Sequence, residues 1–186
     1  MLNNNYREEN YVPQHDSINL MILYNQEVKK HPELPDAQTR LLRARLIFEE
    51  AMEYVDASGC VLSSDGMIVL DTQAKPDLIE MADAIGDILV VTYGAANSCG
   101  IAVQPVWDEI QESNESKAFP HCSICDEELI EEKPMDKNTE YAYCHSQIIK
   151  HGKYDVIWKL HKREDGKIIK YPGYYAANIK SVLERQ

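Results

Sequence analysis

The chain has 186 residues, 44% of them hydrophobic, with 19 Lys and Arg against 31 Asp and Glu and a formal net charge of −12. That is the length of one domain with room for an insertion, and the apolar share is enough for a core. The acidic balance excludes a general phosphate-backbone binder, which needs a basic stripe, but leaves small anionic substrates open because bridging metal ions invert the local sign. No stretch approaches the ~20 apolar residues of a membrane span. The start, MLNNNYREENY, lacks the apolar centre of a signal peptide. Five cysteines, an odd number with one Cys-x-x-Cys, fit a reducing compartment better than a disulfide framework. The expectation is a cytoplasmic protein that engages neither membrane nor nucleic acid.

Residues 1–15 read as an N-terminal arm. From Asp16 the pattern is helical, with Ile18, Met21, Ile22 and Val28 at helical spacing, until His31-Pro32 and Leu34-Pro35 end it. A second helix, from about residue 36 or 39 to 58, contains no Pro or Gly and stops at Gly59. Two short apolar runs about Ser64-Asp65-Gly66 predict a small hairpin or a loop over 60–75. Pro76 suits a first turn and opens a third helix over 77–99, the most apolar segment of the chain. A fourth helix covers about 105–114. From Lys117 helical periodicity stops, and Pro120, Pro134, paired Cys and His and scattered Tyr replace it. Residues 154–160 and 167–171 read as short strands about Asp165-Gly166, and a last helical turn or two covers 176–184. The expected fold is mainly α: a four-helix-bundle-type core with a small Cys/His-containing irregular or β insertion near the C-terminus. Its parts are the arm, an all-α core over 16–117, the insertion over 118–161 and a tail over 162–186 that returns to the core.

Carboxylates stand where an apolar edge is expected. Glu49, Glu50 and Glu53 lie within about 100° of one another around the second helix, and Leu42 and Leu46 share their azimuths in the preceding turns. Leucines packed inward would carry the glutamates inward as well. On the third helix Glu80, Asp83 and Asp87, spaced i, i+3, i+7, keep to an edge of about 60°, which they share with Ala84 and Val91. Asp87 is the one charged residue between Asp83 and Asp108, and an unpaired carboxylate in apolar surroundings is costly. Taken singly, the glutamates could be a solvated face, Glu80 and Asp83 could complement the helix dipole, and Arg43 or Arg45 could pair with Asp87. Taken jointly, two helices with carboxylates on an apolar edge point to a divalent-metal cage, and oxygen-only ligands suit Mg²⁺ or Mn²⁺.

The run Glu49-Glu50-x-x-Glu53, followed by Glu80-x-x-Asp83 and Asp87, resembles the EExxE…ExxD signature of the all-α nucleoside triphosphate pyrophosphohydrolases. That group includes MazG-like enzymes, dimeric dUTPases, dCTP pyrophosphatases and phosphoribosyl-ATP pyrophosphohydrolase. The likeness continues through Tyr93-Gly94, Gly100-Ile101 and Trp107-Asp108-Glu109-Ile110 to Ser113-Asn114-Glu115-Ser116-Lys117. The last stretch is similar to the SNxSK segment of the phosphoribosyl-ATP-pyrophosphohydrolase-like branch, and residues 163–170 look like that branch's closing motif. Residues 16–117 and 162–184 are covered. The resemblance implies a helical bundle that forms a homodimer or homotetramer. It also implies attack of water on the α-phosphorus of a nucleoside triphosphate, with release of monophosphate and pyrophosphate. By the same resemblance Glu50, Glu53, Asp83 and Asp87 would hold Mg²⁺, and Glu49 would orient or deprotonate the water. One departure is that Ala84-x-x-Asp87 follows Glu80-x-x-Asp83 by a turn, so either Glu80 or Asp87 would stand outside the inner ligands. Asp83 and Asp87 lie deeper in the apolar run and are the expected inner pair.

A polyphosphate also needs basic partners. Asn114 and Lys117, just after a helix, can supply an amide and an ammonium, and Lys167 and Lys170 could close over the phosphates; plain solubility is the alternative for each lysine. Residues 118–161 have no counterpart in the minimal family pattern. They hold His121, Cys122-x-x-Cys125 and, after eighteen residues, Cys144-His145. A tetrahedral Zn²⁺ on Cys122, Cys125, Cys144 and His145, or with His121, would explain how a polar segment folds without much core; free thiols and a redox pair are the alternatives. The leading expectation is thus a Mg²⁺-dependent hydrolase of a (deoxy)nucleoside triphosphate, a pyrimidine deoxynucleotide being favoured by family analogy alone. The alternatives are phosphoribosyl-ATP hydrolysis and a non-catalytic nucleotide-binding or zinc-stabilised interaction module.

Overall fold

The computed structural model describes residues 13–123, 126, 128–129, 141–144, 147–150 and 156–186, with the backbone alone for 141–144 and 147–150. Helix is the dominant element. The chain forms two compact units, one of Met1–Val103 with Leu183–Gln186 and one of Gln104–Val182.

In the first unit, α1 (Pro13–Leu23), α2 (Ala37–Ala57) and α3 (Leu78–Ser98) pack together, α2 and α3 most extensively. Helix α1 starts inside the expected arm and stops well before His31-Pro32, at Asn25, whose φ of 55° ends the helical path. Its buried residues are Gln14, Ser17 and Met21, whereas Ile22 and Leu23 are exposed. The helix docks through amides: the Gln14 side chain donates to Asn97 Oδ1 at 2.8 Å and to the Ile101 carbonyl at 2.7 Å, and accepts from the Val103 N–H at 2.9 Å. A buried Gln that fills its donor and acceptor sites this way fixes one docking geometry.

Helix α2 begins where Asp36 caps it, accepting from the N–H groups of Gln38 at 2.8 Å and Thr39 at 3.1 Å. Asp77 caps α3 in the same way through Ile79 at 2.8 Å. Between them lies a hairpin, β1 (Cys60–Leu62) with β2 (Ile68–Leu70), paired Cys60↔Leu70 to Leu62↔Ile68. The sequence left hairpin and loop open here, and the antiparallel ladder decides it. The helices run antiparallel: Arg43 near the start of α2 reaches Ser98 at the end of α3, and the Asp77 N–H donates to the Ala57 carbonyl at 2.9 Å. The α3 exit depends on Gly100, with φ +67°, where a Cβ would stand 2.1 Å from the His31 carbonyl oxygen.

The second unit holds most of α4 (Val103–Glu115), β3 (Phe119–Cys122), β4 (Tyr141–Cys144), β5 (Gln147–Lys150), β6 (Val156–Lys159) and α5 (Ile179–Leu183). Strand β3 is buried along its length and pairs antiparallel with β6, Phe119↔Lys159 to Cys122↔Val156, while β4 pairs with β5. Residues 154–160 were expected to pair with 167–171. Instead β6 takes β3, and the turn at Asp165-Gly166 carries only the bridge Lys162↔Ile168. It is β3 that is buried, so its backbone N–H and C=O groups need a ladder partner, and β6 supplies it. Among the described residues the largest fully buried side chains are Leu129, Val182, Pro120 and Cys122. Among the described residues no helix is long and apolar enough to cross a membrane.

Candidate active site

The antiparallel pairing of α2 and α3 brings the middle of each helix alongside the other. Glu49, Glu50 and Glu53 lie on α2; Glu80, Asp83 and Asp87 lie on α3. Glu50 is half-buried and the other five are exposed. Desolvation pushes the Glu50 carboxyl above its ordinary pKa, and the charges of Glu53, Asp87, Glu49 and Asp83 push it further. Glu49, Glu50, Glu53, Asp83 and Asp87 therefore form one like-charged group.

Asp87 departs from expectation. It is exposed rather than shut away from water, as are its apolar neighbours Ile85 at 48%, Leu89 at 52% and Val90 at 45%. Helical spacing reports which residues share an edge, not whether a single chain covers that edge. Nor, among the described residues, does an arginine pair with Asp87: Arg43 donates to Ser98 Oγ at 2.9 Å and to Gln26 Oε1 at 2.8 Å. Among the described residues no cation is paired with Glu49, Glu50, Glu53, Asp83 or Asp87. A crowded, uncompensated set of oxygen donors open to solvent fits a divalent cation of the Mg²⁺ or Mn²⁺ type, which would relieve the repulsion at Glu50.

The basic candidates gather in the second unit. Lys117 Nζ donates to Asn114 Oδ1 at 2.6 Å, just past the end of α4. Lys170 Nζ stands 4.0 Å from the centre of the Tyr174 ring, and Lys117 Nζ 6.0 Å from it. A hydrogen bond with Ser113, then the Lys170 and Lys117 ammoniums, hold the Tyr174 hydroxyl below its ordinary pKa. Lys167 lies apart from this group on the exposed Asp165-Gly166 turn, its N–H bonded to Asp165 Oδ1 at 3.1 Å. Ser113 belongs to the SNxSK-like stretch, whereas Tyr174 is not singled out by sequence; the signal available for it is the tyrosine-rich run around Pro172.

Of the expected zinc ligands, Cys122 is buried at the end of β3. Cys125, His145 and the side chain of Cys144 lie outside the described residues. Beside Cys122 a different donor set comes together, His121, Glu128 and His161. His121 had been weighed as a fourth ligand; Glu128 and His161 had not, because nothing in their spacing links them.

No curated protein sequence matches the chain. The profile of the phosphoribosyl-ATP pyrophosphohydrolase family matches residues 19–114, a little over half of it, from within α1 to the last turn of α4. The chain belongs to the phosphoribosyl-ATP pyrophosphohydrolase family, within the MazG-like all-α superfamily, and is a nucleotide pyrophosphohydrolase, a hydrolase acting on phosphoric anhydrides.

Proposed function

We propose that the protein is a Mg²⁺-dependent hydrolase that converts a (deoxy)nucleoside triphosphate to the monophosphate and pyrophosphate, with a pyrimidine deoxynucleotide as first candidate. The observation that carries the proposal is the carboxylate group around Glu50, crowded enough to raise its pKa and without a paired cation among the described residues. Glu50, Glu53, Asp83 and Asp87 are the proposed ligands, with Glu80, one turn before Asp83, in the outer position. Mn²⁺ would serve the same donors. Such ions neutralise charge on phosphate oxygens and lower the pKa of bound water. Glu49, exposed beside Glu50, orients the attacking water and accepts its proton. Asn114, Lys117, Lys167 and Lys170 are the proposed phosphate partners, and the convergence of Lys117 and Lys170 on Tyr174 supports the first and last of these lysines. The exposed apolar side chains of α2 and α3, Phe48 at 61% and Leu89 at 52% among them, support assembly into a homodimer or homotetramer.

A second substrate, phosphoribosyl-ATP, is favoured by the family profile itself. Both carry the same phosphoric anhydride, so the carboxylates serve either. Pyrophosphate release from the common NTPs and dNTPs, dUTP and phosphoribosyl-ATP, measured with Mg²⁺ and with EDTA, separates them. The expected result is Mg²⁺-dependent release from one or two pyrimidine deoxynucleotides. Release confined to phosphoribosyl-ATP would replace the substrate, and silence across the panel from folded, metal-loaded protein would remove the activity.

A further inference from the structure

His121 is nearly buried on β3, Glu128 follows the turn after β3, and His161 stands two residues beyond β6. One ligand atom from each lies within 4.8 Å of the other two. The two Nε2 atoms are 3.0 Å apart, and His161 Nδ1 is 4.0 Å from Glu128 Oε2. At bond lengths of about 2.1 Å, neighbouring ligands of a tetrahedral zinc stand about 3.4 Å apart. The Nε2–Nε2 spacing is close to that figure, the whole donor set lies within 4.8 Å, and Glu128, on a long exposed side chain, has the freedom to bring its carboxylate to the Nε2 side of His161.

The surroundings point the same way. His121 Nδ1 lies 2.9 Å from the Asp126 carbonyl oxygen. A carbonyl can only accept, so Nδ1 carries the proton and Nε2 of the neutral ring offers its lone pair to the cluster. A backbone carbonyl bonded to the far nitrogen is the usual way a metal-binding histidine is oriented. Asp126 is fixed in turn: its N–H donates to the Cys122 carbonyl at 2.9 Å, and its carboxylate takes the Lys159 ammonium from β6. The His161 ring is stacked on Phe119, centres 4.1 Å apart and planes 7° off parallel, and Phe119 meets Tyr171 edge-on. Both imidazoles are therefore held before any ion arrives.

We infer that His121, Glu128 and His161 form a binding site for a divalent transition-metal ion of the Zn²⁺ type. Two imidazoles and one carboxylate suit such an ion and disfavour Mg²⁺, which selects oxygen. The ion links β3, the turn after it and the segment after β6, and three protein ligands leave it a further coordination position. The site is distinct from the carboxylates of α2 and α3 and from the cysteine-based zinc set expected from the sequence.

The test is zinc binding to the full chain after chelation, by equilibrium dialysis in millimolar Mg²⁺, for the parent, His161→Ala, Glu128→Gln and Cys125→Ser. The expected outcome is one zinc per chain at this site, at least tenfold weaker binding in His161→Ala and Glu128→Gln, and unchanged binding there in Cys125→Ser. Imidazole ¹⁵N spectra of the parent guard against a variant that fails to fold: Zn²⁺ must move the Nε2 signal of His121 while Nδ1 stays protonated. A parent without zinc, zinc lost only with Cys125→Ser, or histidine signals indifferent to Zn²⁺ would overturn the inference, leaving two histidines that share a hydrogen bond.

Discussion

The α2–α3 hairpin and the β3–β6 pair assemble ionisable side chains by opposite means. On the helices, donors arrive one to four residues apart along a continuous element, all are oxygens, most are exposed, and burial followed by mutual repulsion raises the Glu50 pKa. On the strands, His121 and His161 are forty positions apart in sequence and meet because Phe119↔Lys159 sets the register. There the donors are mainly nitrogen, one ring is nearly buried, and each has a neighbour that orients it. Oxygen donors in water suit an ion that exchanges with each substrate, whereas preorganised imidazoles suit an ion that stays.

The largest effect that would break this contrast lies in α2. Replacing Glu50 or Glu53 with Gln should lower Mg²⁺-dependent pyrophosphate release by about 10²-fold or more, because each is a proposed ligand of the ion that would neutralise transition-state charge. Circular dichroism should show the helices intact, and zinc content should match the parent. Unchanged turnover would take the metal away from these carboxylates. A smaller effect is expected from Asp87→Asn, which removes one charge acting on Glu50. Mg²⁺ affinity should fall about tenfold, while the metal-free protein melts at a slightly higher temperature.

The pH dependence follows from the same repulsion. A carboxyl whose folded pKa is raised contributes stability that is complete below its unfolded value, about 4.3 for Glu, and that is lost as pH rises through the folded value. The metal-free protein should therefore lose stability through Glu50 as pH rises above that unfolded value. Mg²⁺ should raise the melting temperature more at pH 7 than at about pH 4.5, where protons compete for the ligands. Differential scanning fluorimetry at both pH values reads this directly, and an equal Mg²⁺ increment at the two would detach Glu50 from the metal.

What was legible in the sequence divides along the same line. The bounds of α2 and α3 were readable because Asp36, Gly59, Pro76 and Gly100 punctuate them, and the carboxylate positions followed from the helical repeat alone. The burial of Asp87 was not readable, because periodicity cannot say whether an apolar edge is covered within one chain. Helix α1 differs from expectation for a related reason: beside Met21 its buried face is Gln14 and Ser17, held by hydrogen bonds to α3 that no hydropathy pattern announces. Beyond Lys117 the Cys-x-x-Cys is the one local spacing that suggests a metal. His161 and Glu128 stayed hidden because a strand pairing, and not a local spacing, brings them beside His121.

The smallest expected effect tests whether the histidine site is held by its surroundings or only by its ligands. Lys159 on β6 bonds the Asp126 carboxylate and, with its charge, keeps that carboxyl below the ordinary range; His121 adds to the lowering. A depressed carboxyl contributes stability above its unfolded pKa and loses it as pH falls through the folded value, so the contribution is present at pH 7 and gone in acid. The pair is exposed, and its direct share of stability at neutral pH is minor. Its larger consequence is positional, because the carbonyl of Asp126 is the acceptor that turns His121 Nε2 toward the cluster. Lys159→Met should leave pyrophosphate release and helix content unchanged, lower the melting temperature only slightly, and weaken zinc binding by a few-fold at pH 7. Zinc binding that ignores Lys159→Met while failing in His161→Ala would mean that the ligands alone define the site and that the turn at Asp126 is packing.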